Sequence, residues 1–309
     1  MSLRPIVNAF GGDLYQGGAR ASLPAPGHSA ADRSISLILS DGRVIIHSFG
    51  AADWRDVRDA LRRRGLIDAV GRPLGAGSAG ETSRPDIRQR LETAAHLWAG
   101  GRTATGTGRA SHYLRRRGVA WRDDLTDLRD HPAAPVSIYG RSRQTRAAMM
   151  ARISDVSGAL TGVELTYLDP NGAQAAGLMV SRKAVGRIPP GSAVRLMAVG
   201  SRMLVSEGVI TTLSAARRFE RPGWALLSAS NLARWSPPTG VRDVLIAADN
   251  GAAGEDAALR LKIRLRHLGL TVAVVRPPNG IGDWNEADQG LIRAKEREEG
   301  RGGAPVRRG

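Results

Sequence analysis

The chain contains no cysteine among its 309 residues. That single absence removes disulfides, thiolate zinc ligands and a cysteine nucleophile together. Lysine is nearly missing as well, occurring only at Lys183, Lys262 and Lys295. No apolar run approaches the ~18–20 residues that a membrane span requires. The opening Met1-Ser2-Leu3-Arg4-Pro5 lacks the apolar segment of a secretion signal, so a cytoplasmic protein without a membrane partner is expected. No Gly-x-x-x-x-Gly-Lys-Ser/Thr loop occurs, which argues against the ATPase-linked nucleases and leads to the expectation that no helicase is fused here.

Positive charge, in contrast, is abundant. Lys plus Arg number 45 against 29 Asp plus Glu, a formal net charge of +16. With so little lysine, nearly all of it is guanidinium, which grips phosphate through paired N–H donors. An excess of this size predicts a polyanionic partner, nucleic acid above all, although an arginine-rich composition also produces plain solvated surface. The length accommodates two domains and a third small one.

The pattern changes several times along the chain. Residues 18–67 form a first module: Ser34–Leu39 and Arg43–Phe49 flank Ser40-Asp41-Gly42 and read as a β-hairpin with an Asp-Gly turn. Asp53 then caps a helix carrying Trp54, Val57, Ala60 and Leu61 on one face, stopped by Gly65. A unit this small has little core of its own. Residues 68–85, rich in Gly, Ala, Ser and Pro, read as a flexible linker. Residues 86–200 begin with a helix over about 86–99, its buried face made of Ile87, Leu91, Ala94, Ala95 and Trp98, and a second over about 108–117. Short strands follow at Ala148–Ile153 and Thr161–Leu168, with a turn at Asp169-Pro170-Asn171-Gly172. Residues 201–292 form the last module, and 293–309, charged and Gly-rich, read as a disordered basic tail.

Within the last module two apolar runs each end on a carboxylate. Met203-Leu204-Val205-Ser206 leads to Glu207-Gly208 and a helical stretch, and Val244-Leu245-Ile246-Ala247-Ala248 leads to Asp249-Asn250-Gly251 and another. Such runs read as buried parallel strands in βα units, with ligands expected at their carboxyl ends. Two carboxylates at neighbouring strand ends suit a hard divalent cation such as magnesium. A dipole-complementing charge at Glu207 and an ordinary turn residue at Asp249 are the plainer alternatives.

Glu207-Gly208 with its small-residue helix, Asp249-Asn250-Gly251-Ala252-Ala253-Gly254, and the later Gly282-Asp283-Trp284-Asn285-Glu286-Ala287-Asp288 together resemble the Toprim domain. That domain is shared by bacterial-type primases, type IA and II topoisomerases and some nucleases. Tyr113-Leu114-Arg115-Arg116-Arg117-Gly118 resembles an element near the start of the primase RNA-polymerase domain. Residues 162–172 and 186–196 are similar to the basic subdomain that precedes Toprim in phage and plasmid primase-like proteins. Pro24 through Gly50 resembles their zinc-ribbon module, but Leu23, Ser48 and Ala51 stand about where cysteines belong, and only His28 and His47 remain. Two imidazoles do not make a structural zinc site, so no zinc is expected, and both histidines are expected to be hydrogen-bonded structural residues.

The implied fold class is α/β: a Toprim domain, Rossmann-like with a mostly parallel sheet flanked by helices, preceded by an α+β basic subdomain and a small zinc-ribbon-like β module. In that family a glutamate and an Asp-x-Asp pair hold magnesium. The resemblance therefore implies Glu207 and Asp249 as catalytic metal-binding carboxylates, while Gly251 replaces the second Asp. Asp283 is the candidate for a third ligand, and Asp288 reads as a surface charge or cap. Arg115, Arg116, Arg117, Arg182, Lys183, Arg187 and Arg195 are the candidate nucleic-acid contacts. Trp54 and Trp98 read as packing residues, and Trp284 as core beneath the site.

The implied function is magnesium-dependent RNA primer synthesis on single-stranded DNA from nucleoside triphosphates, with manganese as a substitute and a replicative helicase on a separate polypeptide. Two alternatives stand beside it. One is a catalytically impaired DNA-binding accessory, favoured by Gly251 and the cysteine-free ribbon, and the other is a Toprim nuclease.

Overall fold

The computed structural model describes residues 2–26, 32–49, 53–74, 85–139, 144–176, 178 and 180–292. His28, Ala51, most of the 68–85 linker and the 293–309 tail therefore lie outside the described residues. The chain divides into two compact units, Met1–Arg84 and Pro85–Gly309.

The first unit is a four-stranded antiparallel sheet in the order β1 (Asp13–Tyr15), β2 (Arg20–Leu23), β3 (Ile35–Ser40) and β4 (Arg43–Ser48), with α1 (Arg4–Phe10) and α2 (Trp54–Arg63). The Asp-Gly turn joins β3 to β4 as expected. Asp41 and Gly42 have φ of 50° and 73°, the left-handed pair that a two-residue hairpin loop demands. The Asp53 side chain accepts from the Arg55 amide at 2.8 Å and caps α2.

Several expectations for this unit need correction. It starts well before residue 18, since Leu3 and Ile6 are core residues beside Leu23, Ile35, Leu37, Val57 and Leu61. Residues 68–74 are not free linker. Ile67 bridges Pro73, Val44 donates to the Gly71 carbonyl, and the Asp68 carboxylate accepts from the Val70 and Arg72 amides. Trp54 is 42% exposed, with the Arg55 and Arg58 guanidinium groups over its ring, rather than packed in the core. His47 is exposed and makes no side-chain hydrogen bond among the described residues. Leu23, at an expected cysteine position, is buried in the apolar core instead.

The second unit holds two sheets. A five-stranded antiparallel sheet runs in the order β5 (Arg102–Thr103), β6 (Leu128–Pro135), β7 (Thr145–Ser154), β8 (Leu160–Tyr167), β9 (Arg182–Gly186). One face carries Val163, Leu165, Tyr167 and Val185 and packs on α3 (Ile87–Gly100) through Leu97. On α3 the buried residues are Ala94 and Leu97, while Ile87 is 54% exposed and Ala95 also faces solvent, so the expected stripe is rotated. The opposite face presents Met149, Ala151 and Ile153 to α4 (Arg109–Arg116) and to the second sheet's first helix, in a cluster with Tyr113, Leu114, Val209, Ile210 and Leu213.

The second sheet is parallel, in the order β11 (Gly223–Ala225), β10 (Arg202–Ser206), β12 (Asp243–Ala247), β13 (Thr271–Val275). Its helices are α5 (Val209–Phe219), the short α6 (Ala229–Leu232), α7 (Ala252–His267) and a helical stretch at 284–292. Strands buried on both faces explain the unbroken apolar runs. Trp284 is buried edge-on against Phe219, with centroids 5.0 Å apart, beside Leu204, Leu245 and Ala247. It is a packing residue, as its setting in the sequence suggests. No helix among the described residues is long and apolar enough to cross a membrane.

Candidate functional site

Glu207 and Asp249 lie just beyond β10 and β12, which are adjacent and parallel with Ser206 opposite Ala247. The strand pattern expected for both is therefore present. Gly208 and Gly251 are the N-caps of α5 and α7, so each carboxylate sits where a strand passes into a helix N-terminus. Gly251 has φ 137°, a backbone shape that a side chain tolerates poorly. Local geometry thus favours glycine at the position where the family pattern has its second Asp.

Asp283 reaches the same place by a different route. The Asn250 side-chain NH2 donates to the carbonyls of Pro277, Pro278 and Ile281, and its backbone amide donates to that of Gly282. Asn250 therefore ties the loop after β13 to the end of β12. Asp283 then caps the 284–292 helix, accepting from the Glu286 amide at 2.7 Å. Asn250 builds the site, and its donors are directed into the loop.

The electrostatics are those of crowded anions. Asp249 is pushed from 3.8 to about 7, by burial first and then by the charges of Glu207 and Asp283, with Arg182 acting against them. Its Oδ1 is buried and has no hydrogen-bond partner among the described residues. Burial also raises Glu207, opposed by Arg182 and by the Ala229 amide. Tyr113 on α4 is raised by burial and feels Arg117, Arg182, Glu164 and Asp283. The site thus draws on both sheets.

A divalent cation fits this donor set. A carboxylate whose pKa is raised by burial first and by neighbouring carboxylates second is relieved by a bound cation. The site is open rather than closed, since no group of three His, Asp or Glu residues among the described residues is assembled to hold a metal by itself. Further oxygens would have to come from water or substrate.

The candidate arginines divide into engaged and free. Arg117 donates from Nε to the Asn285 Oδ1 at 2.7 Å, and Asn285 returns a bond to the Arg117 carbonyl at 2.6 Å and another to Ser214. Arg115 donates to the Gly106 carbonyl. Lys183 donates to the Val136 carbonyl and lies over Tyr167, with burial lowering its pKa. Arg195 binds the carbonyls of Asp155 and Val156 and stacks on Trp224. Arg116, Arg182 and Arg187 are exposed, with no side-chain hydrogen bond among the described residues.

Asp288 is the clearest correction in this region. It is buried, not a surface charge, and it takes Arg217 at 2.8 Å and Arg218 at 3.5 Å. Sequence reasoning also passed over Glu164, Tyr113 and Asn285. Tyr113 and Asn285 stand inside the quoted motifs, but nothing in their spacing shows that one feels the charge of Arg182 and the other bonds Arg117.

Residues 202–290 match the family model of the Toprim domain. Residues 88–196 match a domain of unknown function, DUF7146. A search of curated proteins finds no match. Among solved structures, the zinc-binding and RNA polymerase domains of the Aquifex aeolicus primase are 14% identical at a TM-score of 0.44, covering 96% of this chain and 83% of that one. The primase fragment of the bacteriophage T7 primase-helicase protein is 15% identical at 0.40, covering 90% and 98%. The DnaG primase catalytic domain bound to single-stranded DNA is 17% identical at 0.44, covering 70% and 81%. The family match at 202–290, not these weak similarities, identifies the module.

Proposed function

We propose that this chain, which carries a Toprim domain, is a primase-like nucleotidyltransferase that makes short RNA primers on single-stranded DNA. The observation that carries the reading is the set of carboxylates Glu207, Asp249 and Asp283 around the ends of β10 and β12, with Asp249 Oδ1 buried and without a hydrogen-bond partner among the described residues. Glu207 and Asp249, with Asp283 on the adjoining loop, are the residues that would hold magnesium. When bound, that ion would orient the triphosphate and offset charge on the attacking and leaving oxygens. Manganese substitutes in the same oxygen-rich set.

The chain's own residues supply the rest. The N-termini of α5 and α7 point helix dipoles at the carboxylates and at any phosphate that joins them. Arg182 on β9 contributes a positive charge that acts on Glu207 and Asp249, and Arg116 and Arg187, without a side-chain hydrogen bond among the described residues, offer guanidinium groups to a polyanion. The net charge of +16 supports a nucleic-acid substrate. A cytoplasmic, phage- or plasmid-type setting with the helicase on a separate polypeptide belongs to the same proposal. The test is incubation of the protein with magnesium, nucleoside triphosphates and varied single-stranded templates. Oligoribonucleotide products are expected, and their absence across templates and with manganese overturns the reading.

One observation favours a second reading, a DNA-binding accessory with an impaired site. Gly251 leaves the domain a carboxylate short, and no three acidic or imidazole groups are closely assembled among the described residues. That reading predicts salt-sensitive DNA binding indifferent to divalent cations.

A further inference from the structure

Helix α7 carries two apolar stripes, and the parallel sheet uses only one of them. Ala257, Ala258, Leu261 and Leu265 are buried in the cluster that holds Trp235, Ile246 and Val272. At 3.6 residues per turn, positions 256, 259, 263 and 266 stand on the opposite side of the helix. Leu259 and Ile263 occupy the middle of that side and are 55% and 50% exposed. A single exposed apolar residue is ordinary on a protein surface. Two on successive turns, flanked by positions three residues away on either side, have the alternating spacing of a helix-pairing seam.

The two ends of this stripe carry opposite charge. Asp256 stands at one end and Arg266 at the other, with Glu255 and Lys262 along one flank. An antiparallel pairing of the stripe with its own copy sets Leu259 of each chain against Ile263 of the other. It also sets Asp256 of each chain against Arg266 of the other, and brings Glu255 towards Lys262. A parallel pairing would instead oppose like charges at both ends. The bonds already made leave these groups available. Asp256 pairs with Arg260 at 2.9 Å and Glu255 with Arg276 at 2.8 Å, both exposed pairs of the kind that contribute little. Arg266 gives one N–H to the Val272 carbonyl, and Lys262 has no side-chain bond among the described residues.

We propose that the outer face of α7 is the surface through which two copies of this chain associate, as an antiparallel pair of helices about a two-fold axis. The occupant is a second copy because the stripe is complementary to itself in both shape of sequence and charge. One helix pair falls short of the roughly 1,200–2,000 Å² of a standard interface, so the association is weak and concentration-dependent. Because α7 opens just after Asp249, the two candidate sites stand towards opposite ends of the pair, about one 16-residue helix length (~24 Å) apart. The inference does not rest on nucleotidyl transfer or on a bound cation.

The test is sedimentation equilibrium of the full chain at about 0.15 M salt, where charge repulsion between the chains is screened beyond ~8 Å. A monomer–dimer equilibrium with a Kd of about 10–100 µM is expected. Leu259→Glu, at an exposed position that the fold does not use, should weaken it at least about tenfold while circular dichroism stays unchanged. Asp256→Arg should weaken it about fivefold, and Asp256→Arg combined with Arg266→Asp should restore it to within about twofold. Since the chain has no cysteine, disulfide trapping reads the orientation directly. In a mixture of Leu259→Cys and Ile263→Cys chains the 259–263 bridge should exceed the 259–259 bridge. A chain that stays monomeric at several times the expected Kd overturns the proposal. So does a dimer that Leu259→Glu leaves intact, a double charge swap that fails to restore, or a predominant 259–259 bridge. If the unmodified chain is monomeric and Leu259→Glu weakens single-stranded DNA binding, the face belongs to nucleic acid and the proposal fails. None of these outcomes bears on primer synthesis, so failure here and failure of the proposed function are separate results.

Discussion

Asp249 and Asp288 are two buried aspartates of one domain, treated in opposite ways. Asp288 takes Arg217 and Arg218 as partners. Asp249 takes none for its Oδ1 among the described residues and feels the charges of two further carboxylates, with Arg182 acting against them. A chain with 45 Lys plus Arg does not lack cations to pair. Where it closes a charge pair, as at Asp288, the result is a structural lock between helices. Where it leaves like charges together, the repulsion is a standing cost that a bound cation removes.

The largest expected effect comes from removing the crowded charge. Asp249→Asn should abolish divalent-dependent nucleotide transfer while leaving DNA binding nearly intact, since phosphate contacts come from arginines. It should also stabilise the cation-free protein. Because the folded-state pKa of Asp249 lies above the unfolded value, at about 7 against 3.8, its contribution to stability is fully present below about pH 4 and is lost as pH rises through 7. At pH 8 the substitution should therefore gain on the order of 2–4 kcal/mol in urea unfolding. A loss of stability at pH 8 would erase the contrast with Asp288.

Asp288→Asn should go the other way. It leaves Arg217 and Arg218 uncompensated, and because both are partly exposed a cost of about 2–3 kcal/mol is expected, read from the same denaturation curves. A cost below about 0.5 kcal/mol would show that the pair is no lock.

Gly251→Asp sharpens the comparison further by adding one more anion. A Cβ there meets nothing within 4 Å, but φ is 137°, so about 1–2 kcal/mol of stability should be lost to backbone strain. Manganese affinity by titration should rise. If the change switches on primer synthesis in a chain otherwise inactive, the accessory reading becomes that of an enzyme that lost one ligand.

The smallest effect separates free from engaged arginines. Arg116→Ala should alter stability by no more than about 0.5 kcal/mol and reduce the salt slope of DNA binding by about one unit. Arg117→Ala should instead cost about 1–2 kcal/mol, because it removes the charged donor at 2.7 Å from the Asn285 Oδ1. Equal behaviour of the two variants in melting and binding assays would undo the distinction.

Much of the parallel sheet was legible beforehand. Met203–Val205 and Val244–Ala248 are apolar on both faces and lead into Glu207-Gly208 and Asp249-Asn250-Gly251, a pattern that a buried parallel strand produces by itself. The hairpin at Asp41-Gly42 was legible for a similarly local reason. Other elements were not. The β6 strand, reading Leu-Arg-Asp-His-Pro-Ala-Ala-Pro, carries two prolines and a register shift between His131 and Ala134, so its sequence looks like a loop. On α3 the apolar residues Ile87 and Ala95 are exposed and Ala94 and Leu97 are buried, so small and apolar residues on both faces blur the stripe. Asp288 was misread since nothing in Ala287-Asp288-Gln289 points to arginines some 70 residues earlier.

What the sequence determined by itself was the local part: which runs become strands, where they stop, and which carboxylates stand at their ends. Those depend on apolar periodicity and turn chemistry within a few residues. Only the tertiary structure decided which charges meet. It brought Asp283 back to Asp249 through the amide bonds of Asn250, gave Arg117 to Asn285, and closed Asp288 with two guanidinium groups. It also brought the charge of Arg182 to bear on Glu164 and on Glu207 and Asp249. Coulomb interactions depend on distance in space and on burial, and neither is written in the spacing of residues along the chain.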